Sequence, residues 1–204
     1  GGLERALDEY LVLADSYYQL AQVDRSLEKY QEAIRLAEQV EDSQPWKEHA
    51  LLRIADIYNQ RFDWSRSAAA VEQLRMLKPD DETLMRQLIE LYFKQGKASD
   101  GLRLVDQLLE IYQRQSPAET ARLLQELVSS FPNDLQLRQR LAVAYVQNNM
   151  IDKAIAEYDT LGEMQLEQGF RDQAIQTVQA IINLGPGDVE GYQRLLAQIS
   201  GGAY

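Results

Sequence analysis

Apolar residues recur along this chain at intervals of three and four, the spacing of one helical face, and runs of Val, Thr and Ile at period two are absent. Four tyrosines anchor the pattern: Tyr17, Tyr58, Tyr92 and Tyr145. Four and three residues before each lie an aliphatic residue and a small or aliphatic one: Leu13-Ala14, Ile54-Ala55, Leu88-Ile89 and Leu141-Ala142. Nine residues after each tyrosine sits a small residue (Ser26, Ser67, Gly101, Ala154), and four later a bulky one (Tyr30, Val71, Val105, Tyr158). The pattern predicts about eleven helices, at 3–22, 24–41, 46–60, 63–78, 81–95, 98–115, 117–131, 134–148, 151–168, 171–184 and 188–199. Short connections make consecutive helices antiparallel neighbours.

Boundary residues support these elements. Ser116-Pro117-Ala118-Glu119 has the composition of a capping box with proline in the first turn. Pro79, Pro132 and Pro186 each follow an apolar stretch and stop a helix, because proline lacks the amide proton. Asp80, Asn133 and Gly187-Asp188 follow them and are expected to cap the next helices.

The interval from Tyr58 to Tyr92 is 34 residues. With Leu51-x-x-Ile54-Ala55-x-x-Tyr58, then Ser67, Val71, Leu74 and Pro79, the segment resembles the tetratricopeptide repeat. Copies begin at Tyr10-x-x-Leu13-Ala14, at Met85-x-x-Leu88-Ile89 and at Leu137-x-x-x-Leu141-Ala142. Two intervals depart from that period. Tyr17 to Tyr58 is 41 residues and Tyr92 to Tyr145 is 53. Residues 84–134 align with 137–188, pairing Leu124 with Val178, Leu127 with Ile181 and Pro132 with Pro186, so the later part reads as two fused three-helix units. Within the second, Leu161-Gly162 repeats the aliphatic-small pair and Gln165 stands in the tyrosine's place.

The resemblance implies an all-α fold, a right-handed α-solenoid of stacked antiparallel helix pairs. One helical repeat domain is expected over 1–204, with units near 7–42, 48–80, 82–133 and 135–187 and a capping helix at 188–199. The small residues let helices approach, and the tyrosines and leucines are expected as core.

Charge narrows the partners. The net charge is −11 and evenly spread, with 13 basic against 19 acidic residues in 1–100 and 8 against 13 thereafter. Such acidity opposes binding to nucleic acid or an anionic membrane. No apolar run approaches the length of a membrane span, and Gly1-Gly2 reads as a domain cut rather than a natural start, so a cytoplasmic location is expected.

Little chemistry is legible. Zero cysteines exclude thiolate sites, and the single histidine, His49, excludes a His-rich metal centre. Gly185-Pro186-Gly187-Asp188 lacks the Lys-Ser/Thr of a phosphate loop and reads as a turn with a helix cap. Asp80-Asp81-Glu82 lacks the alternating ligands of a calcium loop and suits a helix start. The chain is read as no enzyme and as needing no cofactor.

In the family resembled, first helices line a concave groove for a peptide or partner helix. Carried to this chain, the groove rows are Asp15, Asp56, Glu90 and Val143; Tyr18, Asn59, Phe93 and Val146; and Leu11, Leu52, Arg86 and Gln139. Three successive acids beside Tyr18 and Phe93 favour a basic or amphipathic protein segment. Leu11, Asp15 and Asp56 stand where carboxylate-gripping relatives carry basic or amide groups, which disfavours that ligand class. The leading expectation is a non-enzymatic protein–protein interaction scaffold. The alternative is a structural spacer, a self-association module or the regulatory arm of a larger protein. Apolar surface exposed in the groove would mark the first, and at an array end the second.

Overall fold

The computed structural model describes residues 2–115 and 117–201, and the side chains of these outside 113–117. The described residues form eleven α-helices and no strand. They are α1 (Gly2–Gln19), α2 (Val23–Ala37), α3 (Gln44–Gln60), α4 (Trp64–Leu77), α5 (Glu82–Lys94) and α6 (Ala98–Gln115). Then follow α7 (Pro117–Ser130), α8 (Leu135–Gln147), α9 (Ile151–Glu167), α10 (Arg171–Asn183) and α11 (Val189–Ser200). The expected capping box at Ser116 lies outside the described residues.

The helix ends show why the repeat has its length. The carbonyls of Tyr17, Tyr58, Tyr92 and Tyr145 each accept the amide five residues on, from Gln22 (2.8 Å), Asp63 (2.9 Å), Lys97 (2.9 Å) and Met150 (2.8 Å). The residue before each donor is left-handed: Ala21, Phe62, Gly96 and Asn149. This is the Schellman stop, which satisfies the carbonyls a helix end leaves over. Gln165 has the same stop, taking the Phe170 amide at 2.7 Å behind left-handed Gly169. So α9 ends as the tyrosine helices end, although its signature residue has changed.

Starts are equally local. Asp63, Asp81, Asp134 and Asp188 cap α4, α5, α8 and α11 by accepting amides of the first turn. At two of these the cap is Asp81 and Asp134, one residue beyond the expected Asp80 and Asn133, because the proline turn takes one more residue before the helix begins. The expected helices 3–22 and 24–41 end early, at Gln19 and Ala37. The helix-forming residues that follow do not continue them: Ala21 turns left-handed, as does Asp42 before α3.

The chain forms two compact units, Gly1–Leu108 and Leu109–Tyr204, with the boundary inside α6. In the first, α1 packs on α2, α2 on α3, α3 on α4 and α4 on α5, with a lighter contact between α1 and α3. In the second, α7 packs on α8, α8 on α9, α9 on α10 and α10 on α11. Each core is the signature's apolar set. Ala14, Tyr30, Ala55, Val71 and Leu88 are buried in the first unit, and Leu141, Ala142, Ala154, Leu161 and Ile181 in the second.

The small positions differ in detail. Buried Ser67 donates to the Ala55 carbonyl at 3.0 Å, whereas equivalent Ser26 is buried without a partner. A Cβ on Gly101 would lie 2.8 Å from the Phe93 ring, so the glycine makes room for that ring. A Cβ on Gly162 would meet only the Thr177 methyl, at an ordinary 3.7 Å.

Not every signature tyrosine is core. Tyr145 is buried, but Tyr17, Tyr58 and Tyr92 are half-buried. A cation eight residues on covers three of these rings: Arg25 over Tyr17 (5.8 Å), Arg66 over Tyr58 (5.5 Å) and Lys153 over Tyr145 (5.6 Å). Hydroxyls reach back to the preceding second helix, Tyr92 to Glu72 and, weakly at 3.5 Å, Tyr145 to Gln125. A phenol is amphipathic, so its ring packs while its hydroxyl finds an acceptor. Burial first, then the Glu72 bond, push the Tyr92 hydroxyl up to about 12.

Candidate functional site

Within the first unit, α1 and α3 are joined by polar side chains. Trp46 Nε1 donates to Asp8 at 2.8 Å, and the Tyr18 hydroxyl donates to Gln60 Oε1 at 2.6 Å. Between them lies Asp15, which accepts the Tyr30 hydroxyl from α2 and Arg53 Nε at 3.2 Å, with His49 Nε2 at 3.4 Å. Arg53 also lies over the Tyr18 ring at 4.9 Å.

This cluster fixes its own protonation. Burial works to raise Asp15, but the Tyr30 hydroxyl, His49 and Arg53 outweigh it and hold the carboxyl below its ordinary 3.8. Burial and the bond to Asp15 push the Tyr30 hydroxyl up to about 12. At neutral pH the site is a carboxylate receiving a neutral phenol and a guanidinium. Its groups are used on one another.

The second unit is arranged differently. A cleft of about 650 Å³ opens among the start of α8, one face of α9 and the length of α10. Its lining carries six glutamines: Gln136, Gln139, Gln165, Gln168, Gln173 and Gln176. Asp134 also lines it, with one oxygen engaged in capping α8. Gln165, buried where the repeat expects tyrosine, accepts the Thr177 hydroxyl at 2.7 Å and keeps its amide N–H donors. Exposed Phe170 adds an apolar edge. A carboxamide is both donor and acceptor, the same pair a peptide group presents.

The residues expected to line a groove separate accordingly. Asp15 and Tyr18 come together in the α1–α3 cluster. Leu11 is buried, while Leu52 and Asp56 are exposed on α3 and Asn59 is half-buried. Glu90 is exposed with Lys94 at 3.7 Å, Arg86 is half-buried, and Phe93 lies over Gly101. Gln139 and Val143 line a smaller pocket of about 360 Å³ with Leu109, Thr120 and Leu124, and Gln139 also belongs to the amide cleft. Val146 packs on the cluster of Ala142, Tyr158, Leu161 and Ile181.

Sequence reasoning missed His49 and Arg53 as partners of Asp15, and it missed the cleft. Spacing within α3 puts His49 and Arg53 on one face, but nothing in it aims them at a residue over 30 positions earlier. The run Gln165, Gln168, Gln173, Gln176 was a readable signal for the cleft. Among the described residues, no three metal-binding side chains converge, and no helix is long and apolar enough to cross a membrane.

Comparison with known proteins gives a match of residues 112–165 to the family model described as tetratricopeptide repeat. No curated protein matches at a significant level. Among solved structures, YrrB, described as a tetratricopeptide protein with an unusual peptide-binding site, is 15% identical, with 98% of each chain covered and a TM-score of 0.37. TTC0263, a thermophilic tetratricopeptide protein of Thermus thermophilus, is 16% identical over 95% of this chain and 98% of that one, with a TM-score of 0.35. MamA from Desulfovibrio magneticus is 13% identical over 96% and 93%, with a TM-score of 0.38. All three TM-scores are low, so the assignment stands on the matched model, the four signatures and the helix stop repeated five times. On those grounds residues 112–165 match the tetratricopeptide repeat, and the rest of the chain is similar to that family in its signatures and helix stops.

Proposed function

We propose that the chain is a non-enzymatic scaffold that binds a protein segment, and that the amide cleft of the second unit is its receptor. The observation that carries this reading is the convergence of six carboxamides on one cleft of about 650 Å³. Neutral amides arranged along a cleft match the main chain of an extended peptide, and they place little demand on its side chains. Phe170 and the neighbouring pocket at Val143 give apolar side chains of that peptide somewhere to rest. Exposed Asp56 and Glu90 in the first unit, with the net charge of −11, favour basic segments on encounter.

The test is selection of displayed random peptides, each about a dozen residues long, on the wild-type chain, followed by titration of the winners. Such a length, extended, spans about 40 Å, enough to cross a cleft of this kind. Gln136→Ala/Gln173→Ala/Gln176→Ala is expected to weaken them at least about tenfold, the loss of one to two hydrogen bonds. Winners that bind this variant as tightly as wild type would remove the cleft as the receptor.

A further inference from the structure

In the amide cleft α8 and α10 are the walls and α9 is the floor, and two buried polar side chains on that floor are not fully used. They are Tyr158 and Gln165, which share one face of α9 two helical turns apart, about 10 Å along the axis. They are only 9 and 4% exposed. Gln165 Oε1 accepts the Thr177 hydroxyl at 2.7 Å, so Nε2 is the group left toward the cleft. The Tyr158 ring packs with Ala142, Leu161 and Ile181. Among the described residues, neither its hydroxyl nor Gln165 Nε2 has a partner, and neither atom is sealed inside the protein.

The repeat explains why the phenol is left over. Tyr30 holds the same place in the first unit and donates to Asp15, two residues before Tyr17. Two residues before Tyr145 stands Val143, whose side chain has no acceptor. Burial raises the Tyr158 hydroxyl above its ordinary 10.0, so it is a neutral phenol able to donate and to accept.

This floor discriminates among side chains. An aliphatic one laid on it would leave a buried phenol and a buried amide unpaired, which is costly. A carboxylate would meet Asp134 and, among the described residues, no lysine or arginine in the lining. An ammonium or guanidinium has donors only, and would face the donors of Gln165. A hydroxyl offers a single atom. A carboxamide carries its acceptor and its donors on separate atoms, so its oxygen can take the Gln165 N–H while its nitrogen donates to the phenol.

We infer that the floor of the cleft takes an asparagine or glutamine side chain of the bound segment, held by Tyr158 and Gln165 and fixing the segment's register. The inference rests on the cleft being the receptor, and it adds a side-chain demand that the wall amides do not make.

The probes are displayed random peptides selected on the wild-type chain, then synthesised with Asn, Gln, Asp, Lys, Ser or Leu at each position in turn. One position is expected to require Asn or Gln, with about tenfold or more lost on change to Leu or Asp. Tyr158→Phe, which removes one oxygen, is expected to weaken the winners about fivefold, and Gln165→Leu about tenfold. The variant carrying both is expected to reverse the preference at that position, binding the Leu peptide more tightly than the Asn or Gln peptide. A merely structural role would weaken all the peptides alike and leave the preference intact. Circular dichroism of each variant establishes that it is folded. Should Gln165→Leu not fold, Tyr158→Phe alone is expected to narrow the preference. Winners with no such position, or a preference unchanged in the folded variants, would overturn the inference. If the winners also ignore Gln136→Ala/Gln173→Ala/Gln176→Ala, the cleft reading falls with it; if that variant weakens them, the inference falls alone.

Discussion

Both units are built on one repeat, yet they dispose of their polar side chains in opposite ways. In the first, Asp15 gathers Tyr30, Arg53 and His49, and Tyr18 is tied to Gln60. In the second, carboxamides are spread along a cleft, and the bond from Thr177 to Gln165 consumes an acceptor while leaving donors. A half-buried charge cluster must satisfy itself, since an unpaired charge away from water is costly. Neutral amides carry a smaller desolvation cost, so they can stand at a cleft and await a ligand. The difference teaches that equivalent helices of a repeat can carry polar groups that pair with one another or groups that line an open cleft. The chemistry placed there decides whether the groups brace the scaffold or remain available.

The comparison breaks most readily where the two units should behave alike. Ala55 and Ala142 are both fully buried at the tight helix crossing. Ala55→Leu and Ala142→Leu are each expected to cost about 2–3 kcal/mol by overpacking. Denaturant titration checks this, and a mild effect in one unit alone would show that the crossings are not equivalent.

Asp15→Asn sharpens the contrast next. It removes the shared acceptor of Arg53 and Tyr30, and a loss of about 1–2 kcal/mol is expected at neutral pH. The folded carboxyl lies below its ordinary 3.8, so its contribution is fully present above about pH 4 and is lost as pH falls through the lowered value. For Tyr30 the sign reverses. Raised from 10.0 to about 12, it contributes below pH 10 and loses that contribution as pH rises through about 12. Stability measured against pH should therefore flatten at both ends in the variant.

Glycine gives the smallest effect and again divides the units. Gly162→Ala meets only an ordinary contact and should stabilise by about 0.5–1 kcal/mol through helix propensity. Gly101→Ala gains the same propensity but must displace the Phe93 ring, so it is expected to be neutral or destabilising. Thermal melts of the two variants suffice to check the ordering.

The fold was legible because its information is local. Tyr58, Ile54 and Ala55 lie within one turn or so of each other, and the helix period brings them to one face without knowledge of anything distant. The ends of α1 and α2 were less legible, because Ala21 gives no sign that it will turn left-handed, as Gly96 does. The cations over the signature rings were legible in principle, since Arg25, Arg66 and Lys153 hold one spacing. The site was not. Asp15 reads as a solvated acid until α3 brings Arg53 against it, and Gln136 lies 40 residues from Gln176. The run Gln165, Gln168, Gln173 and Gln176 was readable, but amides are tolerated on any exposed helix face, and nothing local joined that run to Gln136 and Gln139.

The distinction between braced and available polar groups is tested most directly by nuclear magnetic resonance of the glutamine side-chain amides during titration with N-methylacetamide, a single free peptide group. The amides of Gln136, Gln173 and Gln176 should shift together and saturably, while Gln60, bound to Tyr18, stays still. Shifts that are uniform over the glutamines of both units, or confined to the first, would contradict the account.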